Sequence, residues 1–149
     1  MKVKMIFKQD FVKYTLPVIL WMGFIFWMST ETFSSGNTFS FLEAALRFLL
    51  PTRELNLIHA MIRKSAHVAE YFILGLLLFR AFRGSSIGSW NWRWSFFAMI
   101  LVVLCAAGDE FHQSFVPTRT ASVVDVIIDT AGGALAQFAI ILRHGYHKK

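Results

Sequence analysis

Four stretches of this chain are apolar on every side: Phe11–Met28, Val68–Phe82, Trp94–Gly108 and Val123–Leu142. A helix that turns one stripe toward a soluble core interleaves polar residues every three or four positions, and these runs do not. Such runs predict helices whose solvent is lipid, where every backbone N–H and C=O must be bonded within its own segment. The predicted spans cover residues of about 11–28, 66–82, 94–109 and 122–142; the second and third are short for a hydrocarbon core about 30 Å thick, and their helices are expected to extend into the polar flanks.

The connections carry their own signals. Ser29–Ser40 is rich in Ser, Thr, Gly and Asn, and Phe41–Leu50 then reads as a short helix with few charges, lying in the interface or dipping into the bilayer. Pro51 should end it. Thr52 is suited to cap the next helix, with Glu54 in its first turn, and that helix can run unbroken into the second span. Gly84–Ser89 is a flexible turn, followed by Trp90, Trp92, Arg93 and Trp94 as an interfacial belt. The third connection, Asp109–Ser122, has Pro117 at its centre. No repeat or internal boundary divides residues 1–149, so a single all-α domain is expected: four transmembrane helices plus one short interfacial or re-entrant helix.

Composition sharpens the membrane reading. Charged residues are 16% of the chain, with sixteen Phe and five Trp, whereas soluble domains carry about 25% charged residues. The first run has a basic lead-in like a signal peptide, but Trp21, Trp27 and Met28 are bulky and no small-x-small cleavage site follows, so it is expected to stay. Cys105 is the lone cysteine and can form no internal disulfide.

The net charge of +6 is distributed by topology and is not a nucleic-acid footprint. Ten basic residues (Lys2, Lys4, Lys8, Lys13, Arg80, Arg83, Arg93, Arg143, Lys148 and Lys149) fall in the tails and second connection; the other connections hold five, namely Arg47, Arg53, Arg63, Lys64 and Arg119. That bias places both termini in the cytoplasm. Eight of the nine acids (Glu31, Glu43, Glu54, Glu70, Asp109, Glu110, Asp125 and Asp129) lie in or near the first and third connections, at the opposite face. Ionisable groups within spans are costly and point to function, so a polar site is expected to open at the outer leaflet.

Three constellations could build it. Lys64, His67, Glu70 and Tyr71 are spaced by three and four residues on one helical stripe, with Glu70 about 9 Å deeper than Lys64 at 1.5 Å per residue. Their bland reading is a snorkelling Lys64 and a structural His67–Glu70 pair. Asp109, His112 and Gln113 share a face at the end of the third span, and Glu110 points about a quarter turn away. Negative charge at a helix C-terminus opposes the macrodipole and asks for a partner cation, of which Arg119 is the nearest in sequence. Asp125 and Asp129 share a face that continues through Gly132 and Ala136, a small-x-x-x-small pair that lets helices approach closely. Asp129 lies about 10 Å below Ser122, so it must be protonated, hydrogen-bonded, bound to a cation, or paired with Lys64 or Arg119. His59 is a weaker candidate for the rim of the same cavity, and His144 and His147 sit in a basic tail.

These stretches resemble the VanZ-like family of small bacterial membrane proteins. The resemblance rests on Arg63-Lys64-Ser65-Ala66-His67-Val68-Ala69-Glu70-Tyr71, on Gly108-Asp109-Glu110-Phe111-His112-Gln113 leading to Pro117 and Arg119, and on Ser122-Val123-Val124-Asp125-Val126-Ile127-Ile128-Asp129 with Gly132-Gly133. Trp21 and Phe26–Ser29 also look like the family. Thr118 departs from it, standing where Gly is common. The resemblance implies a multi-pass protein of the bacterial cell membrane, associated with resistance to teicoplanin, a glycopeptide directed at wall precursors. It implies no settled reaction.

Two chemistries compete for these residues. As a binder of a cell-envelope amphiphile (a lipid-linked precursor or anionic lipid), the protein would hold a phosphate with Lys64 and Arg119, and a headgroup with Tyr71, Gln113, Asp125 and Asp129. As a hydrolase, it would use His67, Glu70, Asp109, Glu110 and His112 as catalytic candidates, with a divalent metal held by imidazoles and carboxylates and Glu110 as general base. No HExxH or other named metal spacing is present, and the sequence requires no cofactor. A structural partner subunit and a proton-coupled transporter are further readings, the last needing a homo-oligomer because four spans are few.

Overall fold

The computed structural model describes residues 9–30, 35–46, 48–84, 90–117 and 121–146, the side chains of 35–38, 41, 42, 145 and 146 excepted. Among them every regular element is a helix. A π-helical segment, Phe11–Thr15, leads into α1, Leu16–Met28. Then come α2 (Ser35–Leu46), α3 (Thr52–Arg83), α4 (Trp92–Gln113) and α5 (Val123–Tyr146). The π-helical winding sits just before Pro17, whose ring has no N–H to return to the preceding turn.

Phe11–Met28, α3, α4 and the Val123–His144 part of α5 are each long and apolar enough to cross a membrane. Their outward faces are apolar: Leu20, Trp27, Phe96, Leu104, Ile127 and Phe138 are all exposed. In water such a surface would be untenable; in lipid it costs nothing. The protein is an all-α membrane helix bundle. It has one end rich in arginine (the C-termini of α3 and α5 and the start of α4) and an opposite end rich in carboxylates.

The centre of the bundle is α3, which packs most extensively on α5; α4 lies against both, and α1 rests on α3 and α4. Tyr71, Leu74 and Leu78 of α3 and Ala98, Val102 and Ala106 of α4 form the buried core with Val18 and Ile25 of α1. The α3–α5 seam is closed by small residues. A methyl group added at Gly132 would come within 2.5 Å of the Val68 carbonyl oxygen, and one at Gly75 within 2.9 Å of Ala136 Cβ. Backbones this close gain dispersion contacts where no hydrophobic effect drives helices together. Gln137 then reaches across, its Nε2 donating to Gly75 O at 3.0 Å.

Two expectations change here. Thr52 does not cap α3: Pro51 occupies the cap position with extended backbone, and Thr52 is already inside the first turn, where its hydroxyl cannot fold back onto the exposed N–H groups. Glu54 does stand in that turn. The short helix of the first connection is Ser35–Leu46 rather than residues 41–50; Phe39 of α2 meets His59 edge-on, ring centroids 5.6 Å apart. At 1.5 Å per residue α3 is about 48 Å long, well beyond a hydrocarbon core, and α2 packs against it.

Other ends are closed locally. Asn91 Oδ1 accepts from Arg93 N at 3.0 Å and caps α4. Gly84 ends α3 with φ of 55°, a backbone region that disfavours a side chain.

Candidate functional site

Four elements converge at the carboxylate-rich end. The depth of Asp129 in α5 requires a partner, and α3 supplies it: His67 Nδ1 lies 3.1 Å from Asp129 Oδ1. Asp129 is fully buried and His67 is partly exposed. An ionised Asp129 takes the Nδ1–H, which leaves the other ring nitrogen of His67 for whatever enters from solvent. His67 indeed lines a cleft of about 90 Å³ with Ala60, Arg63, Lys64, Asp125 and Ile128. The α3 stripe and the α5 stripe therefore face each other.

The α4 stripe joins them through α1. Ser29, at the last turn of α1, donates its hydroxyl to Asp109 Oδ1 at 2.5 Å. Gln113 Nε2 donates to Asp109 Oδ2 at 2.8 Å and to Ser29 Oγ at 3.3 Å. All three residues are buried. Asp109 thus has partners on both oxygens from within the bundle, and no cation is needed to satisfy their lone pairs. Trp21 adds a second tie from α1, its indole Nε1 donating to Glu70 O at 2.9 Å.

Glu110 is buried as well, 5% exposed. Its Oε2 accepts from Ser122 N at 2.7 Å. Ser122 caps α5, with Oγ accepting from Val124 N at 3.2 Å. The carboxylate at the C-terminus of α4 is thereby set against the N-terminus of α5, where the helix dipole favours negative charge. Helix geometry explains which α4 residues turn inward. At about 100° per residue, Gln113 lies 40° to one side of Asp109, Glu110 100° to the same side, and His112 60° to the other. The bundle-facing arc runs from Asp109 to Glu110. His112 falls outside it: the ring is exposed and meets Phe26 edge-on at 5.9 Å.

Tyr71 is fully buried in the middle of this end. The carboxyl groups of Asp109, Asp129 and Glu70 lie close enough to act electrostatically on both Tyr71 and His67. Three polar atoms here, the Tyr71 hydroxyl, Glu110 Oε1 and Asp129 Oδ2, are shielded from solvent without a protein partner. Buried polar atoms seldom stay unpaired, and these three have hydrogen-bonding capacity left over.

The sites anticipated from sequence divide accordingly. His67, Tyr71, Asp109, Glu110, Gln113 and Asp129 share the buried polar end; Lys64 and Asp125 stand at its cleft; His112 faces outward; and Arg119 lies outside the described residues. His59 packs on Phe39 instead of lining the cleft. Among the described residues no three His, Cys, Asp or Glu side chains gather into a metal-holding set. Asp109 is engaged with Ser29 and Gln113, Asp129 with His67, and His112 is turned away.

The comparison with known families falls on this same ground. The family model described as VanZ/LLP1 matches residues 14–144, from within the first span to the end of the last. The chain belongs to the VanZ/LLP1 family. No curated protein and no solved structure matches it. Within this VanZ/LLP1 chain the match takes in all the residues just described. Sequence reasoning missed Ser29, Ser122, Trp21 and Gln137. Trp21, Ser29 and Ser122 had left a trace only within the stretches that resemble the family, with no partner assigned to them.

Proposed function

We propose that this VanZ/LLP1 protein sits in the bacterial cell membrane with both termini cytoplasmic, and binds or handles a cell-envelope amphiphile at the outer leaflet. The observation that carries the proposal is the cleft between α3 and α5. Arg63, Lys64 and His67 of α3 stand on one wall and Asp125 of α5 on the other, so one small volume offers donors to a phosphate and acceptors to an amine or hydroxyls. Its surroundings are apolar: Leu57, Met61 and Ile62 on α3, and Val123, Val124 and Ile127 on α5, are exposed and suit an acyl or isoprenoid tail. Arg119 joins the phosphate-binding set in this reading. The predominance of Lys and Arg at the other face supports the orientation. A lipid-linked wall precursor meets the description and connects it to the teicoplanin resistance associated with the family; an anionic lipid is the simpler ligand.

One observation favours a hydrolase as the second reading. A histidine oriented by a buried aspartate, opening on a cleft that carries two cations, is the arrangement of a general base. A structural partner subunit has no feature of its own in its favour.

Native mass spectrometry of the detergent-solubilised protein separates these readings. Incubated with a polyprenyl-diphosphate sugar lipid, the wild type should retain the lipid, and Lys64→Ala and Arg63→Ala should lose it. Retention of intact lipid by wild type and by His67→Ala supports a binder. Hydrolysis products that vanish in His67→Ala would move the assignment to the hydrolase. Lipid retention unaffected by either cation substitution would end both.

A further inference from the structure

The opposite end of the bundle holds a second cavity, larger than the cleft and built from a different chemistry. It measures about 390 Å³ and lies where α3 and α5 end, lined by Arg80, Arg83, Arg143 and His144 over a floor of Phe79 and Ile140. Helix C-termini favour cations, which accounts for an arginine at the end of either helix. It does not account for three guanidiniums around one cavity. Among the described residues that line it there is no carboxylate, and the His67–Asp129 pair lies at the other end of the bundle.

The individual groups are arranged to donate. Arg83 Nε is shielded from solvent and reaches no protein acceptor, a costly state for a charged donor unless an anion completes it. Arg80 stacks its guanidinium over the Tyr14 ring at 5.7 Å, which occupies the face of the fork and leaves its edge for hydrogen bonds. His144 Nδ1 meets Ile140 O at 2.9 Å. The acceptor is a carbonyl, so Nδ1 carries the hydrogen, and the ring, edge-on to Phe79 at 6.3 Å, keeps Nε2 for another partner. Phe79 and Ile140 are buried, so the floor is rigid core. Phe82 and Ile141, next in sequence to the lining residues Arg83 and Ile140, are exposed, a surface for hydrocarbon.

We propose that this cavity binds a phosphate group, presented by an anionic phospholipid whose chains lie along Phe82 and Ile141. Planar guanidiniums match phosphate oxygens two at a time, and basic pockets between membrane helices are natural seats for lipid headgroups. The site is independent of the α3–α5 cleft at the other end, so Lys64→Ala leaves it unchanged.

The test uses the full-length protein in detergent, with phosphatidylglycerol and phosphatidylcholine compared by native mass spectrometry. The Lys64→Ala protein, whose α3–α5 cleft no longer contributes, should prefer phosphatidylglycerol by about tenfold or more, as wild type does, and adding Arg83→Gln/Arg143→Gln should abolish the preference, since each charged hydrogen bond is worth on the order of tenfold in affinity. Arg93→Gln, an equally basic and exposed position outside the cavity, should keep it. Arg143 is exposed, so Arg143→Gln alone carries the test if the double variant fails to fold, with an expected loss of about tenfold. Adding millimolar inorganic phosphate distinguishes the source. A lipid that stays bound identifies the phospholipid as the occupant, whereas one displaced, with saturable phosphate binding, identifies a free phosphate. The proposal is overturned by an absent preference in wild type, by a preference that survives the arginine substitutions, or by an equal loss in Arg93→Gln.

Discussion

His67 Nδ1 and Asp129 Oδ1, 3.1 Å apart, join α3 to α5 across 62 residues of sequence. Because one partner is fully buried and the other partly exposed, removing either leaves the survivor poorly solvated, and removing both does not. His67→Ala and Asp129→Asn should each lower the thermal midpoint of the detergent-solubilised protein, followed by tryptophan fluorescence. The double variant should cost less than the sum, with a coupling of about 0.5–3 kcal/mol. Additive losses would mean that the pair contributes no specific interaction.

A second test concerns the tie from α1. Ser29→Ala removes the hydroxyl that Asp109 and Gln113 share and should cost about 1–3 kcal/mol, the penalty for leaving a buried acceptor short of a donor. In an Asp109→Leu background the same change should be nearly neutral. If Ser29→Ala costs the same in both backgrounds, Ser29 acts through packing and not through Asp109.

The spans and the acidic character of one end were legible because both are properties of long segments: apolar runs and clustered charge survive any uncertainty about which face a residue takes. Asp129 was legible for a different reason. Its depth alone demanded a partner, although the partner, His67, could be identified only once α3 and α5 were set side by side. The contributions of Ser29 and Trp21 leave almost no mark, since each is a single polar group in an apolar run, with its acceptor 80 or 49 residues away. Glu110 and His112 exchanged their expected places because the arc that faces the bundle depends on where α1 and α5 lie around α4, which no spacing within α4 records. The cavity of arginines was visible only as a topology signal.

The α3–α5 seam predicts a sharp contrast between two glycines. Gly132→Ala sets a methyl carbon 2.5 Å from the Val68 carbonyl oxygen, and a backbone atom cannot yield as a flexible side chain would. The helices must separate, carrying the His67–Asp129 pair with them. A loss of about 1–3 kcal/mol or more is expected, read as a lower thermal midpoint and lower abundance in the membrane. Gly23→Ala meets nothing within 4 Å and should lie within about 0.5 kcal/mol of wild type. Equal behaviour of the two variants would show that close approach at Gly132 is not what holds the seam.

Orientation is open to the most direct test. If both termini are cytoplasmic, Lys64 at the cleft faces outward across the membrane and Arg93, at the start of α4, faces inward. Both side chains are exposed, so cysteines placed there are accessible to reagent. In a Cys105→Ala background, a membrane-impermeant maleimide should label Lys64→Cys in intact cells, and Arg93→Cys only after permeabilisation. The argument behind this expectation is the excess of ten basic residues over five at the two faces. The reverse labelling pattern would put the cleft in the cytoplasm and remove extracellular wall precursors from its ligands. It would leave the phosphate chemistry of the arginine cavity untouched, because that site depends on side chains converging and not on which compartment they face.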